Sequence, residues 1–169
     1  MGLEEIRAVI CDVDGVLTDG SILLSDDGNE LKCFHVWDGS AIKYLLRSGI
    51  QVAFLTGRQS GVVTRRAREL GVAHVRQGAK EKLPVYEALR AEMNVPDEAV
   101  CYIGDDLTDL PVMRRVGYAV AVADARDEVR AAAARVTEAP GGRGAVRELA
   151  EALLKAQGKW AAILERYVP

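Results

Sequence analysis

Cysteine and histidine are scarce, and their scarcity removes two kinds of chemistry. The three cysteines, Cys11, Cys33 and Cys101, are odd in number and show no CxxC spacing. Neither a disulfide framework nor a cysteine zinc centre is expected. Cys11 and Cys101 lie inside apolar runs, which predicts buried free thiols and a reducing, cytoplasmic setting. The two histidines, His35 and His74, are too far apart in sequence to suggest a His/Cys zinc site. No apolar run approaches the roughly 18 residues that a membrane helix needs. The opening stretch MGLEEIRAVI has no basic region followed by a long apolar segment, so no secretory signal is expected. A basic surplus is also missing. The net charge is -3, which argues against nucleic acid as the main partner. A small anionic substrate remains open, because it needs only a few local cations. P-loop spacing, GxGxxG, internal repeats and low-complexity segments are all absent.

What is present is the balance of a globular protein. Hydrophobic residues make up 49% and charged residues 28%, enough to build a real core within one domain spanning residues 1–169. Short apolar runs occur at 8–11 (AVIC), 51–55 (QVAFL), 73–75, 99–103 (AVCYI) and 118–122. Helical spacing lies between them, at 41–47, 61–70, 81–93, 107–115 and 128–135, and again at about 145–156. This alternation predicts an α/β fold, a doubly wound parallel sheet covered by helices on both faces. A ligand site should lie at the carboxyl ends of the strands, where strand order reverses. One segment breaks the alternation. Residues of about 20–36 read as a β-hairpin inserted after the first strand, turning at Asp26-Asp27-Gly28. A lone hairpin is marginal in water and should pack against something, such as another subunit. Gly141-Gly142-Arg143-Gly144 reads as a flexible stop before the last helix. The tail of about 158–169 carries Trp160, Ile163, Leu164 and Tyr167, so it should dock.

The acids are placed unusually. The first apolar run leads into Asp12-Val13-Asp14, with Asp19 shortly after. Residues i and i+2 of a strand share a face, so Asp12 and Asp14 should point together. Two carboxylates this close cannot both ionise freely unless a cation sits between them. Such a pair suits one nucleophile or metal ligand and one proton donor. The run 99–103 leads into Gly104-Asp105-Asp106, with Asp109 following. A turn or helix cap explains one such acid, but not the five from two strand ends, Asp12, Asp14, Asp105, Asp106 and Asp109. Oxygen-only clusters select hard cations such as Mg2+. A third run ends in Thr56-Gly57-Arg58, where a hydroxyl, a backbone N–H and a guanidinium match a phosphate or carboxylate. Lys80 and Lys82 open a helix, against the preference of cations for the other end.

In this order, the four pieces resemble the haloacid dehalogenase superfamily of phosphotransferases. Further stretches narrow the resemblance: DVDGVLTDG, FHVWDG, TGR, GDDLTDLPVM and GGRGAVRELAEALLKAQGK, which together cover about Arg7 to Lys159. They are similar to the capless phosphatases of 3-deoxy-D-manno-octulosonate 8-phosphate, a lipopolysaccharide sugar acid. The resemblance implies a Rossmann-like fold without a cap domain and a Mg2+-dependent phosphatase acting through an aspartyl phosphate. It implies Asp12 as nucleophile, Asp14 as general acid and base, and Thr56 and Lys82 as phosphate holders. It further implies Mg2+ on Asp12, the Asp14 carbonyl and Asp105, with Asp106 and Asp109 supporting. Carried over by position, the loop His35, Val36, Trp37, Asp38, Gly39, together with Lys43, Gly57, Arg58 and Arg66, would contact the substrate. Trp37 is a departure, since the octulosonate enzymes often have arginine there. Related capless enzymes act on nonulosonate 9-phosphates and usually lack the arginine of TGR, so Arg58 favours the octulosonate. The family pairs four subunits through their hairpins, so a homotetramer is expected. The competing expectation is a non-enzymatic phospho-acceptor module, which would use strand-end acids, Mg2+, Thr and Lys without turnover.

Overall fold

The computed structural model describes residues 2–167. Its first strand, β1 (Ala8–Cys11), is buried at every position. The hairpin strands β2 (Leu23–Leu24) and β3 (Glu30–Leu31) follow, then α1 (Val36–Arg47) and β4 (Gln51–Leu55). Next come α2 (Gly61–Leu70), β5 (His74–Arg76), α3 (Lys82–Met93) and β6 (Val100–Gly104). The chain closes with α4 (Leu110–Met113), β7 (Tyr118–Ala121), α5 (Asp127–Ala132), β8 (Arg135–Val136), α6 (Ala145–Ala156) and α7 (Trp160–Leu164).

Six strands form one parallel sheet in the order β5-β4-β1-β6-β7-β8. The central strands are near-continuous apolar runs because helices cover both their faces. Helices α1, α2 and α6 pack together, and α3, α4 and α5 form the second group. Right-handed crossovers produce this division when the chain builds outward from β1 in one direction and then in the other. β1 and β6 are therefore neighbours across the switch point, and whatever follows them lies over the sheet's centre.

The local signals act as expected of them. Ser60 Oγ accepts the Val62 N–H and caps α2, which Gly71 ends in the left-handed region at φ 82°. The stretch 107–115 differs from the expected helix. A 3₁₀ turn at Leu107–Asp109 precedes the short α4. Asp106 and Asp109 form a reciprocal capping box there, so the helix starts late. β8, only two residues long, carries too little periodicity to be read from sequence. His35–Gly39 is not a loop: His35 caps α1, and Val36–Gly39 are its first turn.

Gly141–Gly144 is not a flexible stop. A Cβ on Gly141 would lie 1.8 Å from the Gly15 carbonyl oxygen, and the Gly142 N–H donates to Val16 O at 2.8 Å. This loop is clamped on the turn that follows Asp12. The tail docks on its own chain through Trp160 and Ile163, while Leu164 and Tyr167 stay exposed, and residues 168–169 lie outside the described residues. Ile163 is buried, and Trp160 lies edge-on to Tyr44 with the Arg147 guanidinium over its ring. The hairpin is shorter than expected and leaves Leu23, Leu24 and Leu31 exposed, Leu24 by 70%. All three cysteines are free, with Cys11 and Cys101 buried. Among the described residues, no helix is long and apolar enough to cross a membrane.

Candidate active site

A cavity of about 350 Å³ opens where β1, β4 and β6 end. Asp12 and Asp14 enter it from β1, Thr56, Gly57 and Arg58 from β4, and Asp105 and Asp106 from β6. Lys82, at the start of α3, completes it, and Lys80 stands exposed at its rim. A larger cavity of about 440 Å³ lies against Trp37, Arg143 and Arg147. Its carboxylates, Glu148 and Glu151, are both paired with arginines, so the unmatched acids lie in the smaller one.

Lys82 is the hub. Its buried ammonium lies 3.1 Å from Asp12 Oδ2 and donates to Asp109 Oδ1 at 2.6 Å. Burial opposes the charge, but Asp12 and Asp109 outweigh it and hold the ammonium above its usual range. Asp109 is fully buried and uses both oxygens. Oδ1 accepts Lys82 and the Tyr102 hydroxyl, while Oδ2 accepts the backbone N–H groups of Asp105 and Asp106.

Asp12 and Asp105 are different. Asp12 Oδ1 and Asp105 Oδ1 are buried and have no hydrogen-bond partner among the described residues. Burial pushes Asp12 up to about 7 against the pull of Lys82. Burial, with the charges of Asp12 and Asp109, pushes Asp105 up to about 8. Carboxylate oxygens of Asp12, Asp105 and Asp109 lie within 4.8 Å of one another. Since Asp109 is saturated by donors, the two orphaned oxygens mark the place for a cation. A hard divalent ion that takes one or two carboxylates and keeps water fits this donor set. The backbone is shaped for it as well. Gly15 sits at φ +96°, and a Cβ there would meet Asp105 Oδ2 at 2.1 Å.

Asp14 faces the β4 side. Thr56 Oγ1 donates to its Oδ2 at 3.4 Å, and the Thr56 hydroxyl also accepts the Arg58 N–H. Lys32, from the hairpin, forms an ion pair with Asp14 Oδ1. Its ammonium also lies 3.3 Å from Glu30 Oε1, and the Arg58 guanidinium donates to that same oxygen at 3.0 Å. Ser60, Arg58 and Lys32 hold the Glu30 carboxyl down at about 2.

Asp12, Asp14, Thr56, Gly57, Arg58, Lys82, Asp105 and Asp106 thus line one cavity, with Asp109 beneath it. His35, Val36, Trp37, Asp38, Gly39, Lys43 and Arg66 do not line it among the described residues. The Asp38 carboxylate accepts the N–H groups of Gly144 and Arg147. Arg66 stacks over Phe34 and pairs with Glu69. Asp19 accepts the Ser21 N–H at the hairpin's entry. Sequence reasoning missed Lys32, Glu30 and Tyr102.

A profile of haloacid dehalogenase-like hydrolases matches residues 75–149. The 3-deoxy-D-manno-octulosonate 8-phosphate phosphatase of Yersinia pestis is 49% identical over 154 residues, 91% of this chain and 82% of that one. Its solved structure superposes with a TM-score of 0.93, covering 94% of this chain and 86% of that one. The Moraxella catarrhalis phosphatase of the same name, solved with a magnesium ion, a phosphate ion and KDO, is 39% identical with a TM-score of 0.95. That match covers 98% of this chain and 95% of the other.

Proposed function

Because the chain belongs to the 3-deoxy-D-manno-octulosonate 8-phosphate phosphatases, a family of haloacid dehalogenase-like hydrolases, we propose that it hydrolyses that sugar-acid phosphate with Mg2+. The products are the free sugar acid, a lipopolysaccharide precursor, and phosphate. The observation that carries this reading is the pair of orphaned oxygens, Asp12 Oδ1 and Asp105 Oδ1, beside the buried Lys82 ammonium.

Mg2+ would be held by Asp12, the Asp14 carbonyl and Asp105. When bound, it neutralises charge on the phosphate and lets an anion approach an acidic site. Asp12 attacks phosphorus as the bond to the sugar oxygen breaks. Asp14 gives its proton to that leaving oxygen, so the alcohol departs neutral. Asp14 then takes a proton from water as the water oxygen attacks phosphorus, which frees Asp12 and phosphate. Lys82 keeps Asp12 in place and faces the phosphate oxygens, and Thr56 offers its hydroxyl. Asp109 fixes Lys82 and the Asp105 turn, and Asp106 closes the capping box.

Arg58 is exposed by 45% at the cavity mouth and meets the substrate carboxylate, with Gly57 beside it. His35, Val36, Trp37, Lys43 and Arg66 would contact substrate from a neighbouring subunit, a reading that the exposed Val36 and Trp37 support, whereas Gly39 is buried beneath Arg66. A homotetramer joined through hairpins supplies that neighbour, and the exposed Leu23, Leu24 and Leu31 support it. Free cysteines support a cytoplasmic enzyme.

Phosphate release from a panel of sugar and sugar-acid phosphates, with and without Mg2+, tests the reading. The octulosonate 8-phosphate should be turned over fastest and only with metal. Preference for a nonulosonate 9-phosphate would reassign the substrate. A stable phosphorylated Asp12 without release would make the chain a phospho-acceptor module. Light scattering that found only monomer at micromolar concentration would remove the tetramer.

A further inference from the structure

The hairpin is the most exposed part of the fold, yet one of its side chains is almost sealed. The Lys32 side chain retains 1% of its accessible surface. Its ammonium pairs with Asp14 Oδ1 on one side and lies 3.3 Å from Glu30 Oε1 on the other. Burying a lysine is costly unless it is paired and hydrogen-bonded. Here both partners are acids, and one of them is the carboxylate at the mouth of the reaction. The two oxygens of Asp14 are therefore unequal. Oδ1 is occupied by Lys32, while Oδ2 lies on the side of Thr56, which lines the cavity.

We infer that Lys32 is a positioning residue: it clamps Asp14 through Oδ1 so that Oδ2 faces the leaving oxygen of the substrate. Glu30 is the second anchor of the clamp and keeps Lys32 from swinging away. The inference rests on Asp14 being the proton donor. In the step concerned, the proton on Asp14 Oδ2 passes to the sugar oxygen as its bond to phosphorus breaks. Lys32 does not line the cavity, so its part is to hold Asp14 and not to meet the substrate. The hairpin thereby reaches the chemistry with a single side chain.

Proton donation matters when the leaving group is an alkoxide and hardly matters for p-nitrophenolate, which leaves unaided. kcat/KM reports the steps through departure of the alcohol, so comparing p-nitrophenyl phosphate with the sugar-acid phosphate, and with a sugar phosphate that lacks the carboxylate Arg58 meets, separates the donor from carboxylate binding. Lys32→Met should lower kcat/KM for the sugar-acid phosphate by about tenfold or more, a fraction of the 10²–10⁴ typical of general acid catalysis. The value for p-nitrophenyl phosphate should change less than about threefold. Glu30→Gln should show the same selectivity with smaller size, and Lys32→Arg should restore most of the loss. If Lys32→Met folds poorly, Glu30→Gln and Lys32→Arg still carry the comparison. Equal loss on both substrates, or no loss on either, while Asp14→Asn remains selective for the sugar-acid phosphate, overturns the clamp alone. If Asp14→Asn is itself unselective, Asp14 is not the donor, and the clamp falls with that assignment.

Discussion

The Tyr102 hydroxyl donates a 2.6 Å hydrogen bond to Asp109 Oδ1, the oxygen that also accepts Lys82. Tyr102 is a fully buried residue of β6, so the bond reaches the acid from inside the sheet. Burial, reinforced by the negative charge of Asp109, holds the phenol far above its ordinary range, so it remains a donor. Asp109 in turn aims Lys82 and pins the turn that carries Asp105.

Tyr102→Phe keeps the ring and removes only this donor. A hydrogen bond to a buried charge is worth about 1.5–3 kcal/mol, so unfolding in urea should show a loss of that size. Mg2+ should also bind more weakly, because the Asp105 turn loses part of its support. Unchanged stability would mean that Lys82 and the backbone donors hold Asp109 by themselves.

Removing metal exposes the sign of the acid cluster. The folded-state pKa values of Asp12 and Asp105 are raised to about 7 and about 8, above an unfolded value near 3.8. The folded state therefore holds more protons between pH 4 and pH 8, and stability falls as pH rises through that window. Melting in EDTA should show a declining Tm across it. Mg2+ replaces those protons, so its stabilising effect should be small near pH 5 and large near pH 8. Parallel melting curves with and without Mg2+ would place the cation elsewhere.

The sheet and the cavity lining were legible because each acid or hydroxyl follows directly on an apolar strand. Val9-Ile10-Cys11 before Asp12, and Tyr102-Ile103-Gly104 before Asp105, mark strand ends with no reference to any partner. The supporting residues were not legible. Tyr102 looks like any strand-core aromatic, since the hydroxyl's partner is set by the turn at 105–109. Lys32 carries no sequence mark of its partner, because its acid, Asp14, is 18 residues away. Asp38 looks like one member of a substrate loop, because its partners on α6 lie over a hundred residues along the chain.

Gly15→Ala should weaken metal binding and activity with a modest loss of stability. At φ +96° an L side chain costs about 1–2 kcal/mol. The larger effect is local: the new Cβ would occupy the position of Asp105 Oδ2, 2.1 Å away, so that carboxylate must move. Displacing a metal-holding or supporting group typically costs 10–100-fold in affinity or activity. Titration followed by Tm should show the Mg2+ response weakened by about that factor. A full response would mean that Asp105 can shift without losing the ion.

Asp38→Ala tests whether the carboxylate is a cap or a ligand. Asp38, 1% exposed in the first turn of α1, accepts the Gly144 N–H at 3.1 Å and the Arg147 N–H at 2.8 Å. These are orphan donors at the start of α6, which has no cap of its own from Gly144. Burial raises the Asp38 pKa, and the two N–H donors oppose that shift. Alanine leaves both donors without a partner, so a loss of about 1–3 kcal/mol is expected, or roughly 2–4 °C of Tm for each kcal/mol. Asp38→Asn keeps one acceptor oxygen and should lose less than alanine. If neither variant is destabilised, α6 does not depend on this acid, and the carboxylate is free to meet a substrate from a neighbouring subunit.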